Sequence, residues 1–118
     1  MRYAWLALLL AGCAPSKPRT FTFLPPATAA GITVSNESAE ESVEGILIYG
    51  DLTNGEHEMS RVFVLYDCID AQGRKVDEIA ASSKQLSPGQ TWRFRSITPK
   101  KNAVQFRCRE ILTEWKTN

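Results

Sequence analysis

The stretch MSRVFVLYDC, residues 59–68, carries the strongest fold signal in the chain. Val62 to Tyr66 are all apolar, and most of them are β-branched or aromatic, a composition that favours β-strands. Successive residues of a strand point to opposite faces, so this stretch is apolar on both faces. We therefore predict a strand whose two faces are at least partly covered by other parts of the molecule.

Shorter β patterns lie on both sides of this stretch, and no window shows a helical period. The predicted strands are Ile32–Ser35, Val43–Thr53, Met59–Cys68, Val76–Ser82, Trp92–Ile97 and Ala103–Leu112. Between the first two, the polar residues 36–42 are predicted to form a turn, and Val76–Ser82 is predicted to be an edge strand. Six or seven short strands at this spacing predict an all-β sandwich or a small barrel.

The N-terminus has the three parts of an export signal. Arg2 supplies a positive charge, and Tyr3 to Ala11 is an apolar run too short to cross a bilayer core of about 30 Å. The next residues complete Leu10-Ala11-Gly12-Cys13, which resembles the lipobox of bacterial lipoproteins. The resemblance implies cleavage before Cys13, a diacylglyceryl group on its sulfur, and acylation of the new amine by a chain such as palmitate.

The lipobox also predicts an address for the protein in the cell envelope. Residue 14 is Ala, whereas Asp after the cysteine is an inner-membrane retention signal in Gram-negative lipoproteins. The resemblance therefore implies an outer-membrane anchor facing the periplasm. We predict a signal peptide over residues 1–12, a lipidated cysteine and proline-rich tether over 13–31, and a folded domain over 32–118. Proline-rich segments are extended and stiff, so the tether is expected to hold the domain away from the membrane.

Composition limits the partners of the mature chain. Loss of residues 1–12 removes Arg2 and leaves 13 basic residues against 13 acidic ones. A chain without net charge has no bulk attraction to nucleic acid, and no nucleic-acid partner is predicted. Lipidation of Cys13 leaves Cys68 and Cys108, which either pair in an oxidising compartment or lie buried as small apolar thiols. Both alternatives stay open at this point, because the sequence does not give the distance between them.

Four segments carry a family resemblance. Phe63-Val64-Leu65-Tyr66-Asp67 matches the motif for which the FxLYD domain is named. Before it, the segment Gly50–Asn54 is similar to the strand end that precedes the motif in that family. After it come the turn Asp70–Gly73 and the segment Leu86–Gln90, followed by Phe94. The resemblance covers about residues 32–111 and implies an immunoglobulin-like β-sandwich of six to seven antiparallel strands, found in exported and often lipid-anchored proteins.

The motif itself is predicted to be structural. Phe63 and Leu65 are two residues apart, so they share a face that we expect to fill the core. Tyr66 is then expected on the other face, with its hydroxyl bonded at a rim. Asp67 is expected to end the strand and to accept N–H groups of the following turn.

No constellation of residues indicates catalysis, and neither a cofactor nor a metal is predicted. His57 is the only histidine, and it lies between Glu56 and Glu58. An extended chain puts these two glutamates on the face opposite His57, so the three side chains do not converge on a metal. No nucleophile signature surrounds any serine or cysteine. The chain is therefore expected not to be an enzyme.

Four arginines form a candidate patch for an anionic ligand. Arg93 and Arg95 share one face of a predicted strand, and Arg107 and Arg109 share one face of another. Neighbouring strands would combine the four guanidinium groups, together with Lys100 and Lys101, into a single patch. Strands in opposite sheets would split it into ordinary solvated faces. The sequence favours the solvated faces, because the mature chain has no net positive charge.

These features together predict a lipid-anchored, non-catalytic module that binds another component of the cell envelope, which we expect to be a protein. The membrane is the second partner, held through the anchor on Cys13. The alternative is a lipoprotein that binds a small ligand or a metal through His57 and nearby carboxylates, or through the cysteines.

Overall fold

The computed structural model describes residues 19–115, which form a sandwich of two β-sheets with no helix in that range. The strands are β1 (Thr22–Phe23), β2 (Ile32–Ser42), β3 (Gly45–Asn54), β4 (Met59–Asp70), β5 (Lys75–Ser82), β6 (Thr91–Thr98) and β7 (Ala103–Trp115). One sheet has the order β1-β7-β4-β5, and the other has the order β2-β3-β6. The predicted all-β sandwich is confirmed. Every strand pair is antiparallel except β1 and β7, which are parallel.

The connections between strands gather at two ends of the sandwich. The hairpin end comprises residues 43–44, 71–74 and 99–102, where β2 turns into β3, β4 into β5, and β6 into β7. The distal end comprises residues 55–58 and 83–90, where β3 leads to β4 and β5 to β6. Signal-peptide residues 1–12 and Cys13 lie outside the described residues.

The predicted boundary between tether and domain, after residue 31, is wrong. β1 adds an edge strand to the four-stranded sheet, and the backbone beyond it follows β7: Leu24 N–H donates to Phe106 O (2.9 Å) and Ala27 N–H to Cys108 O (2.8 Å). The Phe23 ring centroid lies 5.4 Å from that of Phe106. Aromatic side chains bury large apolar areas, so these residues join the domain despite the prolines around them.

β2 also differs from its prediction. Residues 36–42 continue the strand that starts at Ile32, because a β-bulge between Ser35 and Ser38 absorbs the irregularity. Asn36 has a φ of 52°, a left-handed conformation that asparagine tolerates better than most residues. The segment was predicted to be a turn because its residues are polar. They suit an exposed edge strand equally well, and the bulge makes this edge a poorer template for pairing with other chains.

The faces predicted for β4 are reversed. Val62, Val64 and Tyr66 point into the core, whereas Phe63 and Leu65 lie half-buried on the outer face of the sheet. A strand that is apolar on both faces does not specify from its own pattern which face is inside. The buried core consists of Ile46, Ile48, Leu52, Met59, Val62, Val64, Tyr66, Cys68, Ile79, Leu86, Phe94, Ala103, Phe106 and Cys108.

Side-chain hydrogen bonds connect the edges of the two sheets along β5 and β6. Ser96 Oγ donates to Ala80 O (2.8 Å), and Thr98 Oγ1 donates to Asp77 Oδ2 (2.6 Å). β5 is an edge strand, as predicted, because it comes last in the order of its sheet. The carbonyl group of Ala80 on this edge already has a hydrogen-bond donor. This arrangement reduces the exposed backbone that a free edge presents to other chains.

Candidate binding surfaces

Three of the four segments that carry the family resemblance meet inside the sandwich. A Cβ atom added to Gly50 would lie 2.2 Å from Phe94 Cζ, so the absence of a side chain at residue 50 makes room for that ring. The Phe94 ring centroid lies 5.9 Å from that of Tyr66 and 5.6 Å from that of Trp92. The three segments therefore form one packing unit, in agreement with a structural role for the motif.

Asn54 links two of these segments at the distal end. Its side chain is fully buried, and Nδ2 donates to Leu86 O (2.9 Å) and to His57 O. Its backbone N–H donates to Gln90 O (3.0 Å), and its carbonyl oxygen accepts from Gly89 N–H. Asn54 thus forms a junction between the sheets in which every buried polar group of its side chain and backbone is bonded.

Asp70, rather than Asp67, caps the turn after the motif. Asp70 is buried, and its Oδ1 accepts from Gln72 N–H (3.0 Å) and Arg74 N–H (2.8 Å), while Oδ2 accepts from Arg74 Nε (3.0 Å). These hydrogen bonds, led by the one from the Arg74 backbone, hold the pKa of Asp70 below its usual value. Asp67 lies within β4 and contacts Arg109 instead, because β4 is two residues longer than predicted.

The hydroxyl of Tyr66 is bonded as predicted, although the ring lies in the core. It donates a hydrogen bond to Oε2 of Glu37, which lies within the bulge of β2. Burial raises the pKa of the Glu37 carboxyl, and burial together with Glu37 raises the pKa of Tyr66. The sequence did not identify Glu37 as the acceptor, since Glu37 lies in a segment that was predicted to be a turn.

Cys68 and Cys108 are free and buried. Cys68 lies opposite Phe106 and Cys108 opposite Tyr66, so the cysteines are diagonal neighbours across β4 and β7. Such diagonal pairs are about 7–8 Å apart, beyond the roughly 4.4–6.8 Å between the Cα atoms of a disulfide. Burial raises the pKa of Cys68 to about 12 and that of Cys108 to about 11, which keeps both thiols protonated and unreactive at neutral pH.

The four-arginine patch is split between the sheets. Arg93 and Arg95 lie on β6 in the three-stranded sheet, whereas Arg107 and Arg109 lie on β7 in the four-stranded sheet. The two sheets present their exposed faces in opposite directions, so the guanidinium groups do not converge. The single anionic-ligand patch is therefore absent from the described residues. The arginines lie on two separate faces, which is the alternative that the sequence favoured.

Arg93 is held by the bulged edge of the three-stranded sheet. Its Nη1 donates to Asp51 Oδ1 (3.2 Å) and to Asn36 O (3.1 Å), and the guanidinium lies 5.5 Å from the centre of the Tyr49 ring. Asn36 Nδ2 donates to Asp51 Oδ2 (2.9 Å). The pKa of Asp51 is lowered by Asn36 first and by Arg93 second. This arginine therefore stabilises the bulge and is occupied by protein groups.

Arg109 is occupied in the same way on the other sheet. Its Nε donates to Asp67 Oδ1 (3.1 Å), and its Nη2 lies 3.8 Å from Glu78 Oε2. Lys75 pairs with both of these carboxylates, and mainly Lys75 holds the pKa of Glu78 below its usual value. The outer face of the four-stranded sheet is thus a neutralised ionic network that leaves little charge for an external anion.

The alternative metal site at His57 gains no further ligand. His57 Nε2 lies 3.8 Å from Glu56 Oε2, while Glu58 bonds to Gln85. Within residues 19–115, no group of three histidine, cysteine or acidic side chains is placed to hold a metal ion.

The hairpin end carries the most exposed apolar side chain of the described residues. Val43 is 93% exposed at the tip of the β2–β3 hairpin. Beside it lies an open groove of about 580 Å³. Its lining consists of Ser42, Val43, Glu44, Leu47, Arg95, Ser96 and Ile97. An apolar floor with a cation and a carboxylate at the rim suits a binding contact better than catalysis.

Comparisons of the chain with protein-family models, with curated proteins and with solved structures gave no match. The resemblance to the FxLYD domain therefore stays a prediction.

Between residues 19 and 115, the structure contains no helix with the length and apolar character needed to cross a bilayer.

Proposed function

We propose that this chain is a bacterial lipoprotein, anchored in the cell envelope through acylated Cys13, and that its β-sandwich is a non-catalytic binding module. The observation that carries this proposal is the sequence Leu10–Cys13 behind Arg2 and an apolar run. Several acyl chains on one residue give stable membrane attachment, which a single chain does not. The likeness of the motif segments to FxLYD-domain lipoproteins supports the same conclusion.

The described side chains support binding rather than catalysis. Tyr66, Cys68 and Cys108 have raised pKa values, but all three belong to the packed core. Catalytic groups with shifted pKa values lie in clefts where a substrate reaches them. His57 lies in the connection that precedes β4 at the distal end, whereas Cys68 lies near the other end of that strand.

Membrane attachment is tested with two variants of the full chain, produced in a Gram-negative host with an alkyne-labelled palmitate in the medium. The wild-type chain should incorporate the label and fractionate with the outer membrane. Cys13→Ala should lose the label and the membrane association. Cys108→Ala is the matched control, because it removes a buried cysteine that is not expected to be acylated and should keep the label. Labelling of Cys13→Ala at the wild-type level would overturn the proposal.

The address is tested separately with Ala14→Asp. This variant should keep the acyl label but move to the inner-membrane fraction, because aspartate after the lipidated cysteine is the retention signal that the lipobox resemblance implies. Ala14→Ser is the matched control and should stay in the outer membrane. Identical fractionation of all three chains would contradict the predicted outer-membrane location while leaving the anchor itself intact.

The binding role is tested by crosslinking in intact envelopes. A protein partner should be recovered with the wild-type chain and lost with Cys13→Ala, which places the same domain in the wrong location. Recovery of no specific protein from envelopes in any growth phase would count against a protein partner.

A further inference from the structure

The described chain enters the sandwich at the hairpin end. Arg19 Nη1 donates to Lys101 O (2.5 Å) and to Glu41 Oε1 (2.9 Å), and Nη2 donates to Ala103 O (3.2 Å). From there β1 runs parallel to β7 toward the distal end, where Gly55 N–H donates to Gly31 O (2.7 Å). Arg19, the first described residue, is therefore held beside the turn that connects β6 and β7.

The reach of the chain from Cys13 to this point is short. Five residues lie between Cys13 and Arg19. The six steps from one Cα atom to the next each span at most about 3.3–3.6 Å in extended chain, or roughly 20 Å in all. The distal end is farther away by the length of β3, which at roughly 3.3 Å per residue adds about 30 Å. A lipid on Cys13 would thus keep the hairpin end near the headgroups while the distal end can lie well away from them.

Charge is distributed unevenly between the two ends. The connections of the hairpin end contain Arg74, Lys100 and Lys101 against one acid, Glu44. The connections of the distal end contain one lysine against Glu56 and Glu58. Lys100 and Lys101 are exposed, and no described carboxylate lies within salt-bridge distance of their ammonium groups. These two charges are therefore available to an external anion, unlike Arg93 and Arg109.

The exposed apolar group lies beside these lysines. Gly45 follows the Val43-Glu44 tip, and a Cβ atom added to Gly45 would lie 2.0 Å from Thr98 O and 2.9 Å from Pro99 Cα. Only glycine allows this approach, and it brings the hairpin tip against the turn that contains Lys100. An exposed valine at a hairpin tip that packs against a turn with two lysines fits an anionic bilayer surface, where cations meet phosphates and the apolar group enters the headgroup region.

We propose that the hairpin end is the membrane-facing surface of the anchored domain, with Lys100 and Lys101 against phospholipid phosphates and Val43 in the interface. The ligand is an anionic phospholipid bilayer of the phosphatidylglycerol type. The distal end then faces the aqueous compartment and is the part offered to a partner. This inference rests on the proposed acylation of Cys13. The sequence alone predicted a tether that holds the domain away from the membrane. We propose instead that the domain lies on the membrane.

The test measures the depth of a fluorescent label on the lipidated full chain. Val43→Cys and Lys84→Cys place one reactive thiol at the hairpin end and at the distal end, respectively, while Cys68 and Cys108 are buried and acylation blocks Cys13. Each chain is labelled with nitrobenzoxadiazole and placed in phosphatidylethanolamine–phosphatidylglycerol vesicles that carry a nitroxide on the headgroup. The nitroxide should quench the label at residue 43 severalfold more than the label at residue 84. Equal quenching, or stronger quenching at residue 84, would overturn the proposed orientation.

Charge reversal tests the role of the lysines. A lysine near an anionic surface contributes a factor of about five to membrane association, so Lys100→Glu with Lys101→Glu should markedly reduce quenching of the residue 43 label. The loss should vanish in vesicles of phosphatidylcholine alone, and Lys84→Glu is the matched control that should change nothing. Unchanged quenching in the double variant would overturn the proposed phosphate contacts.

The intact mass of each labelled chain separates this inference from the function on which it rests. A chain without acyl groups contradicts both the lipoprotein proposal and the membrane-facing end. A fully acylated chain whose residue 43 label remains in water contradicts the orientation alone. Quenching that is lost when soluble peptidoglycan fragments are added would assign the surface to the cell wall and overturn the lipid assignment.

Discussion

The aromatic unit in the interior differs from the arginines on the two outer faces in whether it can meet an external molecule. The interior unit consists of Gly50, Tyr66 and Phe94. The interior unit joins segments from three strands through close aromatic packing, and nothing external can reach it. Arg93 and Arg109 lie at the surface, yet carboxylates and carbonyl groups of the same chain occupy them. The residues that resemble the FxLYD motif thus serve the construction of the sandwich. External contacts are expected where exposed groups have no partner among the described residues, as at the hairpin end, for which we propose a contact with the membrane.

Truncation of Phe94 should have the largest effect. Phe94→Ala removes a fully buried ring between Tyr66 and Trp92, and large aromatic truncations in cores cost about 3–5 kcal/mol. Urea denaturation followed by tryptophan fluorescence measures the loss. Arg107→Ala, on an exposed position of the other sheet, is the control and should leave the free energy of unfolding almost unchanged. A cost below about 1 kcal/mol for Phe94→Ala would show that the ring is not central to the core.

Addition of a single methyl group should have the next largest effect. Gly50→Ala forces its Cβ against the Phe94 ring, and overpacking of this kind costs about 1–3 kcal/mol. Phe94→Leu makes room at the same place, so the cost of Gly50→Ala should shrink in that background. A double-mutant cycle gives the coupling between the two positions. Additive effects would mean that the methyl group clashes elsewhere, which breaks the proposed link between the two motif segments.

Loss of the Tyr66 hydroxyl should cost less. Tyr66→Phe keeps the ring and removes the donor to Glu37. A hydrogen bond to a charged group contributes about 1.5–3 kcal/mol at most. The partial exposure of Glu37 to solvent lowers the contribution expected here. In the Glu37→Gln background the cost should be smaller, since the charge is gone. Equal costs in both backgrounds would show that the hydroxyl acts through packing alone.

The same carboxyl predicts a pH dependence. Because burial raises the pKa of Glu37 above its unfolded value of 4.5, its favourable contribution is complete below pH 4.5 and is lost as pH rises through the folded pKa. Asp51 and Asp70 have lowered pKa values, so their contribution is present above pH 3.8 and is lost as pH falls below it. Glu37→Gln should therefore flatten the stability profile above pH 4.5 and leave the acid side unchanged. A profile that Glu37→Gln shifts only below pH 3.8 would contradict this assignment.

Removal of Arg93 should have the smallest effect. Arg93→Ala breaks an exposed ion pair, which contributes about 0–1 kcal/mol, and the loss should shrink further in high salt. The measurement is urea denaturation at low and high ionic strength, with Arg107→Ala as the control because it has no carboxylate partner among the described residues. A loss as large as that of Phe94→Ala would erase the distinction between interior and surface on which the comparison rests.

The sequence predicted the sandwich well because alternation and turn residues are local signals. Residues 59–68 and the alternation around Phe94 and Phe106 indicated strands that the structure contains. Two features depended on contacts between distant segments and were missed. β1 is a strand only because Phe21 and Phe23 pack against Phe106, and β2 is continuous only because its bulge pairs with β3.

The candidate sites were harder to predict, since convergence of side chains depends on topology. Four arginines with the right alternation suggested a patch, but the assignment of β6 and β7 to different sheets separates them. The exposure of Val43 and of the Lys100 ammonium group, which has no carboxylate partner within residues 19–115, follows from the placement of two turns side by side. No local pattern encodes that placement.

The most direct test of the central claim is the intact mass of the protein extracted from the membranes of its bacterial host. The account predicts a chain that begins at Cys13 and carries a diacylglyceryl group together with an acylated amine. Treatment with lipase should reduce the mass by the ester-linked chains. A chain that retains residues 1–12, or one that begins elsewhere and carries no acyl group, would contradict the account.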